Sequence, residues 1–261
     1  MKKWSLFGSL ALGAMLLSAC GDDAANNEKG NETADTEDKK VLEMATSADF
    51  PPFESRDTAG EFEGFDIDLA NYIADELGYE LKIQDMKFDG LIGALQNDRI
   101  DMVLSGMSAT DKRKENVDFS TEYNHSGEMF ITLKDSDIQS IEDLEGKKLG
   151  VQLGTIQEDG AKKIKAETVD FEIKSLDNAN ILIQELMSNR IDAAYMDKAV
   201  AQGFIAEQDL AGFDDPTSSS PGMGIAFPKG SDLVEEVNAV LKEAEENGKL
   251  QELKDKWLTE E

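Results

Sequence analysis

One pattern occurs twice in this chain. Leu91-Ile92-x-x-Leu95-x-x-x-Arg99-Ile100-Asp101 returns 91 positions later as Leu182-Ile183-x-x-Leu186-x-x-x-Arg190-Ile191-Asp192. In each copy an apolar helical stripe is followed by a short polar turn and then by a strand-like run, Met102-Val103-Leu104 in the first and Ala193-Ala194-Tyr195 in the second. A helix-to-strand unit has to bury its apolar stripe against a sheet, so two copies predict two similar α/β lobes.

The rest of the chain alternates in the same way. Val41 to Ala45 reads as a strand, and the prolines of Phe50-Pro51-Pro52-Phe53 exclude both a helix interior and a central strand just after it. Phe65 to Leu77 places Leu69, Ala70, Ile73, Ala74 and Leu77 on one helical face and meets a stop at Gly78. Leu81 and Ile83 alternate as in a strand. Lys148 to Leu153 predicts another strand, Gly154-Thr155 a tight turn, Ile156 to Ala166 a helix, and Leu233 to Trp257 one long C-terminal helix. Such alternation implies mostly parallel sheets covered on both faces.

Residues 1–19 read as a secretory signal: Lys2 and Lys3 precede an apolar run from Leu6 to Leu17 that is too short to span a bilayer. Leu17-Ser18-Ala19 then leads to Cys20, the one cysteine of the chain, so no internal disulfide can form. Residues 20–40 hold no large apolar side chain until Val41 and predict a solvated tether. The remaining 41–261 are enough for one large domain or two modest lobes.

The formal net charge is −29, and removal of residues 1–19 would deepen it by taking away two lysines. Charge of that sign argues against a nucleic-acid partner, because binding would have to overcome repulsion from the phosphates. It carries no information about a small ligand, since an acidic surface also keeps an exported protein soluble and suits a saline or alkaline habitat. His125 is the single histidine, and no metal-ligand set can be built around it. No cofactor is implied.

In open α/β sheets ligands gather at the carboxyl ends of the strands, which here directs attention to the segments after Ala45, Leu104, Leu153 and Tyr195. After Leu104 come Ser105, Gly106 and Ser108 and then Arg113, whose guanidinium can hold a carboxylate through two parallel hydrogen bonds. After Leu153, Thr155 opens a helix whose first N–H groups suit an anion. After Tyr195, Asp197 offers a carboxylate to an ammonium group. Phe50, Phe53 and Phe88 are candidate walls of an apolar slot. Together these groups describe a site for a free α-amino acid. Taken singly, each has a structural reading: Ser105 and Ser108 as capping hydroxyls, Arg113 as a solvated charge, Asp197 as the N-cap of a helix from Lys198, and the phenylalanines as core.

The pattern resembles the polar amino-acid binding proteins of bacterial ABC importers, solute-binding proteins of family 3. The resemblance rests on Ala45-Thr46-Ser47-Ala48-Asp49-Phe50-Pro51-Pro52-Phe53, Gly64-Phe65-Asp66-Ile67-Asp68-Leu69, Phe88-Asp89-Gly90-Leu91-Ile92, the run from Ser105 to Arg113, Gly150-Val151-Gln152-Leu153-Gly154-Thr155 and Arg190-Ile191-Asp192-Ala193-Ala194. It runs from about Val41 to Leu258 without large insertions.

The resemblance implies a periplasmic-binding-protein fold of type II, two α/β lobes joined by two crossing strands with a ligand cleft between them. Lobe 1 would comprise about 41–125 plus 225–261 and lobe 2 about 128–221, with crossings near Tyr123 to Met129 and Ser220 to Ala226. It implies that Arg113, assisted by Ser108 and Thr155, holds the ligand's carboxylate, and that Asp197, with Ser105 or Gly106, holds its ammonium group. Phe50 and Phe88 would flank the ligand, and Gln152 and Gln157 would line the side-chain end. Several relatives that bind basic amino acids or glutamine have an acid where this chain has Ser47, a gap that Asp49 or Glu158 would fill.

Leu17 to Cys20 is likewise similar to a lipobox, which implies lipidation at Cys20 and a place on the extracellular face of the cell membrane, beside a permease and an ATPase. A free cysteine behind an ordinary signal is the alternative. Two other functions remain open. One is a dehydratase-type enzyme on the same fold; the other is a ligand-binding sensor or receptor module, which would have to signal through a separate partner.

Overall fold

The computed structural model describes residues 39–218 and 220–258. The signal sequence, Cys20 and the tether as far as Asp38 lie outside the described residues. The described chain builds two five-stranded sheets and a two-stranded ribbon.

The first sheet begins with β1 (Val41–Thr46), followed by the ribbon of β2 (Ser55–Arg56) and β3 (Phe62–Glu63), α1 (Phe65–Leu77) and β4 (Glu80–Asp85). Then come α2 (Leu91–Gln96), β5 (Met102–Val103), α3 (Asp111–Lys114) and β6 (Asp118–Asn124). The chain crosses to the second lobe at 125–127 and lays down β7 (Glu128–Leu133), β8 (Lys148–Gln152), α4 (Ile156–Glu167), β9 (Glu172–Leu176), α5 (Ala179–Met187), β10 (Ala193–Asp197), α6 (Lys198–Glu207) and β11 (Leu210–Asp214). It returns through 215–222 into β12 (Met223–Phe227) and ends in α7 (Leu233–Glu246) and α8 (Lys249–Trp257).

Strand order is β4-β1-β5-β12-β6 in the first sheet and β11-β7-β10-β8-β9 in the second. Each sheet is mixed rather than mostly parallel. In the first, β12 runs antiparallel to both β5 and β6; in the second, β7 runs antiparallel to β10 and β11. The crossing strands cause this, because a chain that enters a lobe from its neighbour arrives from the opposite end of the sheet. Both sheets are covered on both faces, as the alternation along single strands records. On β1, Leu42 and Met44 join the core under α1 and α7, while Ala45 packs with Leu91, Leu95 and Val103 on the other side. On β10, Ala194 and Met196 face one core and Ala193 and Tyr195 the other.

The repeated pattern does the same physical work in both lobes. Asp98 and Asn189, at equivalent positions, adopt left-handed backbone conformations with φ of 49° and 55°, a region that Asp and Asn tolerate better than other side chains. The chain then turns so that Asp101 N donates to Glu43 O at 2.8 Å while Glu43 N donates to Asp101 Oδ2 at 2.8 Å. In the second lobe Asp192 N donates to Lys148 O at 2.8 Å and Lys148 N to Asp192 Oδ2 at 2.8 Å. Asp101 clips the start of β5 to β1 and Asp192 clips the start of β10 to β8, so each aspartate sets the register of a parallel pair in its own sheet.

The expected C-terminal helix is two helices. Gly248 sits at φ 82° between α7 and α8, and the chain bends there so that α8 packs on α1, where Trp257 Nε1 donates to Asp68 Oδ2 at 2.7 Å. Apolar spacing continues through the break, which is why the sequence reads as one helix. Phe53 also departs from expectation. It is fully buried, edge-on to Phe65 at 6.3 Å, and belongs to the core rather than to a cleft wall.

Asp101→Ala removes a half-buried, charge-assisted clip, and should cost about 1.5–3 kcal/mol, or roughly 3–10 °C in melting temperature. Asp192→Ala, at an exposed position, should cost less. Ligand affinity should change less than about twofold in either, as calorimetry would check.

Candidate functional site

The turns after β1, β5, β8 and β10 meet in one cleft between the lobes. Phe50, Phe88, Ser105, Gly106, Ser108, Arg113, Gln152, Thr155, Gln157 and Asp197 all line it, together with Ser47, Asp49, Glu54 and Ile156.

Arg113 is buried, 8% exposed, although it lies in a run of three basic residues. Thr110 starts the short helix α3 by accepting from Arg113 N at 3.2 Å, and this folds the side chain inward. Its guanidinium donates through Nη1 to Ser108 O at 2.8 Å and through Nη2 to Gly154 O of the other lobe at 3.1 Å, and lies 5.3 Å from the centre of the Phe88 ring. A guanidinium has five N–H donors, and among the described residues no carboxylate pairs with this one. Burial lowers its pKa to about 10, so it remains charged at neutral pH.

Gly154 permits this approach of the lobes. Its φ is 79°, and a Cβ there would lie 3.1 Å from Asp89 Cβ. The neighbouring hydroxyl is not available to a ligand: Thr155 Oγ1 donates to Gln152 O at 2.7 Å and caps α4 by accepting from Glu158 N at 3.2 Å. What Thr155 offers is the start of α4 at the cleft, lined there by Thr155, Ile156 and Gln157, and the first turn of a helix suits an anion. Glu158 does not line the cleft. It accepts from Gly154 N at 2.9 Å and from the Ser175 hydroxyl at 2.9 Å and pairs with Lys162, holding the turn from beneath.

Asp197 caps a helix, as one reading of it expected, and also lines the cleft. Oδ1 caps α6 by accepting from Ala199 N at 2.9 Å and also takes the Ser126 hydroxyl at 2.9 Å, while Oδ2 has no donor among the described residues. Burial raises its pKa to about 7, against the lowering effect of the Ser126 hydroxyl and the α6 backbone. Opposite it, Gly106 holds φ at 51°, and a Cβ there would press to 2.9 Å from the Phe50 ring. Glycine is therefore required both by conformation and by contact.

Asp49 reaches across the cleft, accepting from Ala179 N at 2.7 Å and from Gln152 Nε2 at 3.3 Å, and it also takes the Ser47 hydroxyl. Lys112 and Asp159 pair across the rim at 2.9 Å, and Lys87 also pairs with Asp177; exposed pairs of this kind add little to stability. Sequence reasoning missed Glu54. It is wholly buried, and its position behind Pro51-Pro52 gave no signal of chemistry.

Residues 42–260 match the family model described as bacterial extracellular solute-binding proteins, family 3. The chain belongs to that family. It is 43% identical to the arginine-binding extracellular protein ArtP of Bacillus subtilis (strain 168), over 99% of each chain. It is 38% identical to a probable histidine-binding protein of Campylobacter jejuni, over 95% of each. Among solved structures, an ancestral arginine-binding protein bound to arginine superposes with a TM-score of 0.80 at 39% identity, covering 85% of this chain and 99% of that one. The fold is accordingly that of the type II periplasmic binding proteins, with two α/β lobes around a ligand cleft.

A carboxylate raised to about 7 destabilises the ligand-free fold as pH climbs from the unfolded value near 4 toward 7, because the unfolded chain gives up that proton first. Asp197→Asn keeps the cap and the Ser126 contact but removes the charge. Ligand-free Asp197→Asn should therefore melt several degrees above the parent at pH 8, with a gap that narrows as pH falls and closes only near pH 4. Thermal melts across that range check this; a residue that only caps a helix would give no gap at any pH.

Proposed function

We propose that this protein is the extracellular solute-binding component of an amino-acid ABC importer, and that it closes on a free L-amino acid with a cationic side chain, arginine first. The observation that carries the reading is the charge of the cleft. Arg113 is its one cation among the described residues, set against the carboxyl groups of Asp49 and Asp197. The ligand's carboxylate takes the open N–H donors of Arg113, aided by Ser108 and the N–H groups at the start of α4. Its ammonium takes Asp197 Oδ2 and Ser105. A zwitterion with a neutral side chain would leave the acidic excess unanswered, whereas a guanidinium directed toward Asp49, Gln152 and Gln157 answers it. Phe50 and Phe88 hold the aliphatic stem between their rings. The two relatives named above, an arginine-binding protein and a probable histidine-binding protein, support this choice.

The protein captures its ligand and performs no chemistry on it. Closure around the ligand joins the lobes, and the closed form is what a permease with its ATPase would receive. Residues 1–19 act as the signal, and Cys20 carries the lipid that tethers the domain to the outer face of the cell membrane. Lobe 1 would move as 41–125 plus 225–261 and lobe 2 as 128–221.

Thermal shift against arginine, lysine, ornithine, histidine, glutamine and cystine tests the ligand. Arginine at 100 times its dissociation constant should add about 2.7 kcal/mol, or roughly 5–10 °C. Arg113→Ala and Asp197→Ala should each lower its affinity by about two to four powers of ten, since either leaves a buried charge of the ligand unpaired. A larger shift with glutamine than with arginine would overturn the choice of side chain. For the anchor, Cys20→Ser should move the protein from membranes into the medium.

A further inference from the structure

Beneath the turn that carries Ser105 and Gly106 lie two carboxyl groups with no cation beside them. Glu54 and Asp66 are both fully buried, and neither joins an ion pair among the described residues. Their bonding is lopsided. Asp66 Oδ2 accepts from Gly106 N at 2.8 Å and from the Tyr123 hydroxyl at 2.9 Å. Glu54 Oε1 accepts from the Ser105 hydroxyl at 2.8 Å. The remaining oxygens, Glu54 Oε2 and Asp66 Oδ1, are buried and reached by no other donor. Two ionised carboxylates left so would each carry an unanswered charge away from water, at a cost no native interior sustains.

We propose that Glu54 and Asp66 share one proton, held on Glu54 Oε2 and donated as a hydrogen bond to Asp66 Oδ1, and that this neutral acid positions Ser105 by accepting the hydrogen bond of its hydroxyl through Oε1. Ser105 Oγ accepts from Ser47 N at 3.0 Å and gives its single hydrogen to Glu54. The lone pair left over faces the cleft. Ser105 is thereby fixed as an acceptor and suits an ammonium group, whereas a hydroxyl free to rotate would also present its hydrogen. Asp66 does the same for Gly106 by occupying its N–H, so the turn offers no donor to a cation. This part rests on the reading of the ligand as an amino acid whose ammonium meets Ser105.

The surroundings favour Glu54 as the acid. Burial, and then the charge of Asp66, push its pKa well above the ordinary carboxyl range, with Asp49 adding to the effect. Burial raises Asp66 too, but the Gly106 N–H and the Tyr123 hydroxyl oppose that rise. The facing groups are Asp66 on α1, Tyr123 on β6, Asp49 in the turn after β1, and Ser105 and Gly106 after β5; Asp197 bears on Tyr123 from β10. All the ionisable ones are acidic, so none can replace the shared proton.

Glu54→Gln is the informative variant, because its amide N–H₂ can donate to Asp66 Oδ1 while its carbonyl still accepts from Ser105. Infrared difference spectra of the whole mature protein at pH 7.5, parent minus Glu54→Gln, should show the C=O stretch of a buried, protonated carboxyl group. Calorimetry with arginine should find Glu54→Gln within about threefold of the parent, and Glu54→Leu weaker by tenfold or more. Absence of the band, or equal losses in the two variants, overturns the proposal. If Glu54→Leu fails to fold, the band and the Glu54→Gln affinity still decide it. The band does not depend on which ligand binds, so a parent that shows it but binds no amino acid would count against the ligand reading alone.

Discussion

A buried guanidinium without a carboxylate partner is the constraint on which the site depends. Desolvating a cation is costly unless an anion and enough acceptors answer it, and among the described residues Arg113 receives only the carbonyls of Ser108 and Gly154. Those two carbonyls come from different lobes. The same side chain thus fixes the distance across the cleft and leaves N–H donors open for a ligand. Asp197 is the complementary case, a buried carboxylate with one oxygen satisfied by α6 and Ser126 and the other directed into the cleft. An α-amino acid carries one group for each.

Everything nearby serves to hold these charges where water does not solvate them. Thr155 gives its hydroxyl to Gln152 and to the α4 cap, and Glu158 holds the Gly154 turn, so that the carbonyl of Gly154 faces Arg113. Asp49 binds the first turn of α5 from the opposite lobe. The contacts of Arg113 with Gly154 and of Asp49 with Ala179 cross the cleft and require the lobes to be together, which couples the arrangement of the site to closure. The scaffold beneath is built by one device used twice, an aspartate that clips strand to strand after a left-handed turn.

Much of this was legible in the sequence, for definable reasons. The repeat at 91–101 and 182–192 survives in the apolar spacing because both copies pack the same face against a sheet, and it disclosed two α/β lobes. The cleft residues lie in short turns after strands, where local motif and spatial position coincide, and all ten expected ones line a single cleft. Other features left no local trace. The break at Gly248 is hidden because helical spacing continues across it, and the antiparallel strands follow from crossings between lobes. Glu158 looked available because hydrogen bonding to Gly154 and Ser175 is a tertiary fact. Glu54 was missed because its chemistry comes from Asp66, twelve residues away, and from burial that no single position encodes.

In the proposed mode of binding, a ligand carboxylate completes the buried guanidinium of Arg113. Agmatine, which is arginine without its carboxylate, tests this without altering the protein. Calorimetric titration should find agmatine bound at least a thousandfold more weakly than arginine, since the lost partner is the one answering a desolvated charge. Agmatine binding within tenfold of arginine would contradict the account.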